Sequence, residues 1–108
     1  MEEKIITEKN IAEFNNFLCD EEKSDNTKEK YMRDVRAFAK YCNGNIISKE
    51  TVIAYKQNLI DIGYAVKSIN SMLASINSLF SFLGWYELGV KSLKVQQQIF
   101  FKSFDFLA

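Results

Sequence analysis

The stretch GYAVKSINSMLASINSLFSFL, residues 63–83, decides the fold, because its apolar residues recur at the spacing of one helix face. We predict a helix from about Val66 to Leu83, closed by Gly84 at its carboxyl end. The residues expected on its inward face are Ile69, Met72, Leu73, Ile76, Phe80 and Leu83. A long helix with one apolar face needs partner helices that cover it, so this stretch indicates a helical bundle.

Three further amphipathic helices are predicted upstream of this one. They run from Glu8 to Cys19, from Thr27 to Cys42, and from the cap residue Ser48 to just before Gly63. For the second of them we expect Asn26 as the N-cap, with Glu29 in the capping-box position.

Each of these helices has its own apolar residues at helical spacing. The residues expected to face inward are Ile11, Phe14, Phe17 and Leu18 in the first helix, Tyr31, Val35, Phe38 and Cys42 in the second, and Val52, Tyr55, Leu59 and Ile62 in the third. A short fifth helix is expected around Trp85 to Gly89. The Phe- and Gln-rich stretch from Val95 to Leu107 fits a helix, a strand or a frayed end equally well. The predicted fold class is all-α, a compact bundle of four to five helices.

The composition excludes several classes of function. The 108 residues contain no histidine, which rules out imidazole zinc sites and Ser-His or Cys-His nucleophile pairs. The sequence contains no glycine-rich phosphate loop, so we expect no enzyme activity and no metal or cofactor in this chain. No apolar run is long enough to cross a bilayer and no secretory signal is evident, which favours a cytoplasmic protein with no membrane partner. In that setting Cys19 and Cys42 are expected to be buried or half-buried thiols rather than a disulfide.

The zero net charge conceals an uneven distribution. Residues 1–22 carry two lysines and seven acids, while residues 23–42 carry six basic and three acidic residues. From residue 64 to residue 102 there are four lysines and one acid, Glu87. The first helix is therefore acidic, and the second and fourth helices are the basic elements.

Two polar stripes can each be interpreted in two ways. On the second helix Arg33, Arg36 and Lys40 share one face, near Lys28 and Lys30, which suits either a solvated surface or a polyanion site. Glu29 and Asp34 dilute that patch and favour the solvated surface. On the fourth helix Ser68, Ser71, Ser75 and Ser78 recur at helical spacing. Such small donors suit either contacts to DNA or close packing against another helix.

Several residues resemble the tyrosine recombinase (phage integrase) family. Ser24, Asn26, Thr27, Tyr31, Asp34 and Phe38 match the S-x-N-T-x-x-x-Y-x-x-D-x-x-x-F opening of its N-terminal core-binding, SAM-like domain. Residues 46–59, IISKETVIAYKQNL, are similar to its third helix, and residues 63–83 to its last major helix. The resemblance covers roughly residues 8 to 86. Where family members often have serine, this chain has Ala65, a poor cap, so we expect the last helix to start elsewhere or to depend on Ser68.

The resemblance implies a four-helix SAM-like domain that forms half of a C-shaped clamp around duplex DNA. In that family the second and fourth helices face the DNA and the first reaches a neighbouring protomer. The residues that it places near DNA are Asn26, Thr27, Lys28, Tyr31, Lys67, Ser68, Asn70, Ser71 and Asn77. Tyr31 also belongs to the apolar stripe, which makes a core role the stronger expectation for it.

The family's catalytic domain has no counterpart here. That domain supplies a tyrosine nucleophile among two arginines, a lysine and histidines, whereas this chain has no histidine and only Arg33 and Arg36 as arginines. We therefore expect residues 1–86 to be the core-binding domain and residues 87–108 a linker towards an absent catalytic domain, in an isolated domain or a truncated product. The expected partners are duplex DNA and neighbouring recombinase protomers, through the first helix or the C-terminal tail, with no small-molecule substrate. The alternative is a helical protein–protein interaction module that does not bind DNA.

Overall fold

The computed structural model describes residues 3–94, which form four α-helices and no strand. The helices are α1 (Glu8–Asp20), α2 (Asp25–Cys42), α3 (Lys49–Ile62) and α4 (Val66–Leu83), and a 3₁₀ turn follows at Tyr86–Leu88. The all-α prediction and the short fifth element are thereby confirmed. The predictions for the stretch from Val95 to Leu107 fall outside the described residues. None of the helices described is both long and apolar enough to cross a membrane.

The first residues of the helices are fixed by side-chain caps at three of the four starts. Thr7 and Ser48 form reciprocal capping boxes at the starts of α1 and α3, as expected for Ser48. The prediction that Asn26 caps α2 is wrong. Ser24 takes that place, since its backbone is extended and its hydroxyl accepts the Thr27 N–H at 3.2 Å. Asn26 instead lies in the first turn of the helix.

Helix α4 starts at Val66 without any side-chain cap. Ala65 occupies the N-cap position and makes no capping hydrogen bond, so the expectation that the start would move or depend on Ser68 is wrong. The cost of a missing cap is about 1 kcal/mol. The buried apolar face of α4 outweighs that cost, because fully burying one large aliphatic or aromatic side chain stabilises by roughly 1.5–3 kcal/mol.

The core consists of two clusters, and α4 contributes to both. One cluster joins Phe38 of α2 to the inner faces of α3 and α4, where Phe38 meets Tyr55 and Phe80 at ring-centroid distances of 5.0 and 5.8 Å. The other joins α1, α2 and α4 around Phe14, which is fully buried. Because α4 belongs to both clusters, it is the central helix of the bundle.

Most of the predicted inward residues are buried, and the exceptions lie near helix ends or edges. Ile62 was expected to face inward, but it is 62% exposed because it is the last residue of α3, where Gly63 turns the chain with φ 103°. Met72 and Leu83 are half-buried rather than enclosed. Leu79, which was left out of the predicted face, is fully buried between α1 and α2.

Candidate nucleic-acid interface

The outer face of α2 presents three cations to solvent. Arg33, Arg36 and Lys40 are exposed, and the Arg33 side chain keeps 73% of its accessible surface. Arg36 lies 3.5 Å from Glu8 of α1, a distance typical of a weak exposed ion pair. The predicted basic stripe is therefore a real surface feature of this helix.

The Asp34 carboxylate is turned mainly into the protein, and its Oδ1 also lies 3.8 Å from Arg33 Nε, so it offsets part of the charge of that arginine. Asp34 is 5% exposed and accepts hydrogen bonds from Lys30 Nζ and Ser75 Oγ, both at 2.7 Å. Lys30 Nζ also donates to the Ser71 carbonyl and to Ser75 Oγ, each at 2.9 Å. We call Lys30, Asp34 and Ser75 the polar strut, since they join α2 to α4. Ser75 is fully buried, so close helix packing is the correct interpretation for this serine.

A groove of about 170 Å³ lies beside the polar strut, where α2 and α4 approach each other. It is lined by Arg33 from α2, by Ser68, Ser71 and Met72 from α4, and by two members of the polar strut, Lys30 and Asp34. We call this the α2–α4 groove. The basic stripe of α2 thus meets the serine stripe of α4 through Arg33, along the first turns of α4, whereas Arg36 and Lys40 lie on the side that faces α1.

The amino end of α4 lies on the same side as this groove. Lys67 and Ser68 are exposed in the first turn, and Ala65 offers the first N–H groups no side-chain acceptor. Free N–H groups at a helix start carry partial positive charge and favour anions. Lys67, the serine hydroxyls and the helix start together make this end of α4 a favourable place for a negatively charged ligand.

The amino end of α2 is more occupied than the sequence indicated. Asn26 is exposed, but the Thr27 hydroxyl accepts from Ser24 Oγ at 2.9 Å. Lys28 Nζ lies 3.6 Å from Cys19 Sγ and 3.4 Å from the Asp25 carboxylate. The Cys19 sulfur, and after it Asp25, raise the pKa of Lys28, so its ammonium stays charged. Its side chain points towards α1 rather than towards the groove.

Tyr31 belongs to the core more than to the surface. Its ring stacks on Phe14 with centroids 6.4 Å apart and an interplanar angle of 8°. The side chain is half-buried against the cluster that joins α1, α2 and α4. The expected core role of Tyr31 is confirmed.

Asn70 and Asn77 hold the chain that follows the 3₁₀ turn. The Asn77 amide donates to the Val90 carbonyl at 2.9 Å and accepts the Val90 N–H at 3.1 Å. Asn70 makes the same pair of bonds with Leu93, at 2.9 and 2.6 Å. Because both ends of each amide are used, these side chains act as backbone clamps, two turns apart along α4. They lie on a different face of α4 from Ser68 and Ser71.

Two residues of this site were not singled out as DNA contacts from the sequence. Arg33 was recognised only as part of the basic stripe, although its spacing with Arg36 and Lys40 was the signal that marked it. Lys30 has Asp34 four residues later, which is the spacing of a helical ion pair. That spacing could have indicated that Lys30 faces the bundle.

Comparison with known proteins gives one match. None of the curated proteins or solved structures compared with this chain matches it. Residues 11–87 match the family model described as "Phage integrase, N-terminal SAM-like domain". This span includes all of α2, α3 and α4 and most of α1. The match confirms the resemblance that the sequence motifs indicated, and the chain belongs to the family of phage integrase N-terminal SAM-like domains.

Proposed function

We propose that this domain binds duplex DNA as the core-binding domain of a site-specific tyrosine recombinase, in DNA integration and recombination. The contact face is the α2–α4 groove and the cations beside it. Strand cleavage and exchange would belong to a recombinase catalytic domain, for which residues 1–108 supply neither a histidine nor an arginine beyond Arg33 and Arg36. The domain alone is noncatalytic.

The observation that carries the proposal is that Arg33 of the basic stripe and Ser68 and Ser71 of the serine stripe line one groove. Arg33 can bind a phosphate through its planar fork, and the Ser68 and Ser71 hydroxyls can donate to the same anion. Lys67 adds a second, exposed cation in the first turn of α4. Contacts of this kind position a protein on the duplex without reading its sequence.

The structure changes the set of residues that we propose for this contact. Arg33 is added to the set. Lys67, Ser68 and Ser71 are kept, and Asn26 and Thr27 are kept at the edge of the contact face. Tyr31 and the two amides of Asn70 and Asn77 are left out, because the ring packs in the core and the amides hold the chain's own backbone. Lys28 contributes charge from the α1 side only.

We also propose a later domain boundary than residue 86. Leu88 and Val90 are buried in the larger core cluster, and Leu93 is held by Asn70. These residues pack as part of the helical domain. A linker towards a catalytic domain would therefore start after Leu93.

The experiment is fluorescence anisotropy with a duplex of arbitrary sequence, measured across a salt series from about 50 to 300 mM. The face variant is Arg33→Ala/Lys67→Ala, and the matched control is Lys9→Ala/Lys91→Ala, which removes two exposed lysines elsewhere. Each phosphate contact contributes about −0.9 to the slope of log K against log salt. The face variant should thus lower the magnitude of that slope by about 2, while the control changes affinity by no more than about twofold.

The same experiment separates the two functional classes. Equal weakening in both variants would show that binding is diffuse and that the proposed face is wrong. A wild-type domain that does not bind at the lowest salt would favour the protein–protein interaction module. That module would use the exposed acidic face of α1, which the recombinase proposal assigns to a neighbouring protomer.

A further inference from the structure

A second groove, of about 450 Å³, lies on the outer side of α3 and is separate from the proposed DNA face. Ile53 and Ile60 of α3 form one side of it. Val90 and Leu93, which Asn77 and Asn70 hold by hydrogen bonds, form the other side. Ile53 is 51% exposed and Ile60 is 38% exposed. We call this the α3 groove.

The walls of the α3 groove are held in place by hydrogen bonds. Lys49 Nζ donates to the Gly89 carbonyl, and Lys56 Nζ donates to the Lys91 carbonyl at 2.6 Å. From the opposite side, Asn70 fixes Leu93. The groove is therefore formed before any ligand arrives, which lowers the entropic cost of filling it.

The apolar side chains of this groove share one line on the helix. Ile53 and Ile60 are seven residues apart, which is two helical turns and about 10.5 Å along the axis. An occupant with large apolar side chains at a similar separation would cover both. Apolar side chains that line one groove, unlike scattered ones, are typical of a binding surface.

We propose that the α3 groove binds the Phe-rich residues 99–106 of the same chain, IFFKSFDF. Leu93 lines the groove and Lys94 is the last residue described, so the segment begins only a few residues beyond the groove wall. Four residues lie between Lys94 and Ile99, and the five Cα-to-Cα steps that join these two can span up to roughly 17 Å. Residues 99–106 can therefore reach either end of the α3 groove. Their effective concentration at the groove is high because the chain attaches them beside it.

The composition of the segment fits an apolar groove. Ile99 and the four phenylalanines Phe100, Phe101, Phe104 and Phe106 fall within eight residues, and Lys102 and Asp105 balance in charge. Covering these rings and the two isoleucines of α3 removes apolar surface from water on both sides, at roughly 25 cal/mol per Å². The proposal concerns a face other than the α2–α4 groove and does not depend on DNA binding.

Photo-crosslinking in the full chain tests this proposal. A benzophenone amino acid is placed at Phe101 in one protein and at Phe104 in another, and the crosslinked peptides are mapped by mass spectrometry. The groove variant is Ile53→Glu, and the matched control is Ile46→Glu, which changes an isoleucine of similar exposure (53%) outside the groove. Circular dichroism of both variants checks that they keep their helices.

We expect crosslinks to residues 49–60 and 89–93 within one chain, with a yield that does not change between about 2 and 100 µM protein. Ile53→Glu should lower that yield roughly fivefold or more, since a carboxylate in the groove opposes burial of the rings, whereas Ile46→Glu should leave it unchanged. Crosslinks that join two chains and increase with concentration would show that a second copy is the occupant and would overturn the proposal. Crosslinks only to other surfaces, or none from either position, would overturn it as well.

Discussion

Asp34→Ala, which removes the carboxylate of the polar strut, should destabilise the bundle more than the loss of any exposed polar side chain of α2. In Asp34→Ala the Lys30 ammonium and the Ser75 hydroxyl both lose an acceptor at 2.7 Å. The Asp34 side chain is only 4% exposed, so water cannot readily replace it. The direction of the effect is therefore a loss of folding stability.

The magnitude follows from how far Lys30 is buried. Breaking a fully buried ion pair costs roughly 3–5 kcal/mol, because one charge is left without a partner. The Lys30 side chain is 31% exposed and keeps two acceptors, the Ser71 carbonyl and Ser75 Oγ. We therefore expect a smaller loss, about 2 kcal/mol, in the free energy of unfolding.

Urea unfolding followed by circular dichroism measures this loss, with Glu29→Ala on the exposed face of α2 as the control. The control should change the free energy of unfolding by less than about 0.5 kcal/mol. A double-mutant cycle of Asp34→Ala with Lys30→Met should give a coupling energy of about 1 kcal/mol or more, since the two residues share the network. If Asp34→Ala and Glu29→Ala differ by less than about 0.5 kcal/mol, the strut does not hold α2 to α4 and the reasoning fails.

Three further perturbations test other parts of the structure. Burial raises the pKa of the Cys42 thiol from its ordinary 9.0 to about 11, so the unfolded chain loses this proton first. The free energy of unfolding should then fall between about pH 9 and pH 11, by on the order of 2 kcal/mol, and urea titrations of Cys42→Ala should show a flatter decline. Gly63→Ala should cost about 1 kcal/mol in the same assay, because φ is 103° and no atom lies within 4 Å of an added Cβ, which leaves backbone strain as the only cost. Asn70→Ala should speed hydrogen exchange of the Leu93 amide roughly tenfold or more while DNA affinity stays within about twofold, and unchanged exchange would contradict the clamp.

Helix existence and order could be predicted from the sequence, because the apolar spacing of each helix is regular and the core follows it. Ile62 shows where periodicity stops being informative, since it continues the α3 stripe but sits at the helix end, beyond the neighbours that would cover it. Asn26 shows the same limit for caps. Ser24, Asn26 and Thr27 are all acceptable cap residues, and only the backbone conformation selects Ser24.

The candidate site could be predicted only in part, because helix periodicity shows which side chains are exposed but not which distant residues they contact. Exposed cations such as Arg33 and Lys67 follow from helix faces, which a sequence records. The partners of Asn70 and Asn77 do not, because Leu93 and Val90 return to α4 only after the 3₁₀ turn reverses the chain. From the sequence alone, Asn70 and Asn77 resemble DNA contacts because they lie near a serine stripe. The structure shows that the backbone of Val90 and Leu93 uses both amides.

The paired amides of α4 also set how any group attached after Lys94 would approach a ligand held in the α2–α4 groove. The same rigid helix carries Lys67 and Ser68 in its first turn and anchors Leu93 through Asn70. The position and direction of the chain at Leu93 are therefore fixed relative to the first turn of α4. Any group joined there would therefore start from one defined position relative to the α2–α4 groove.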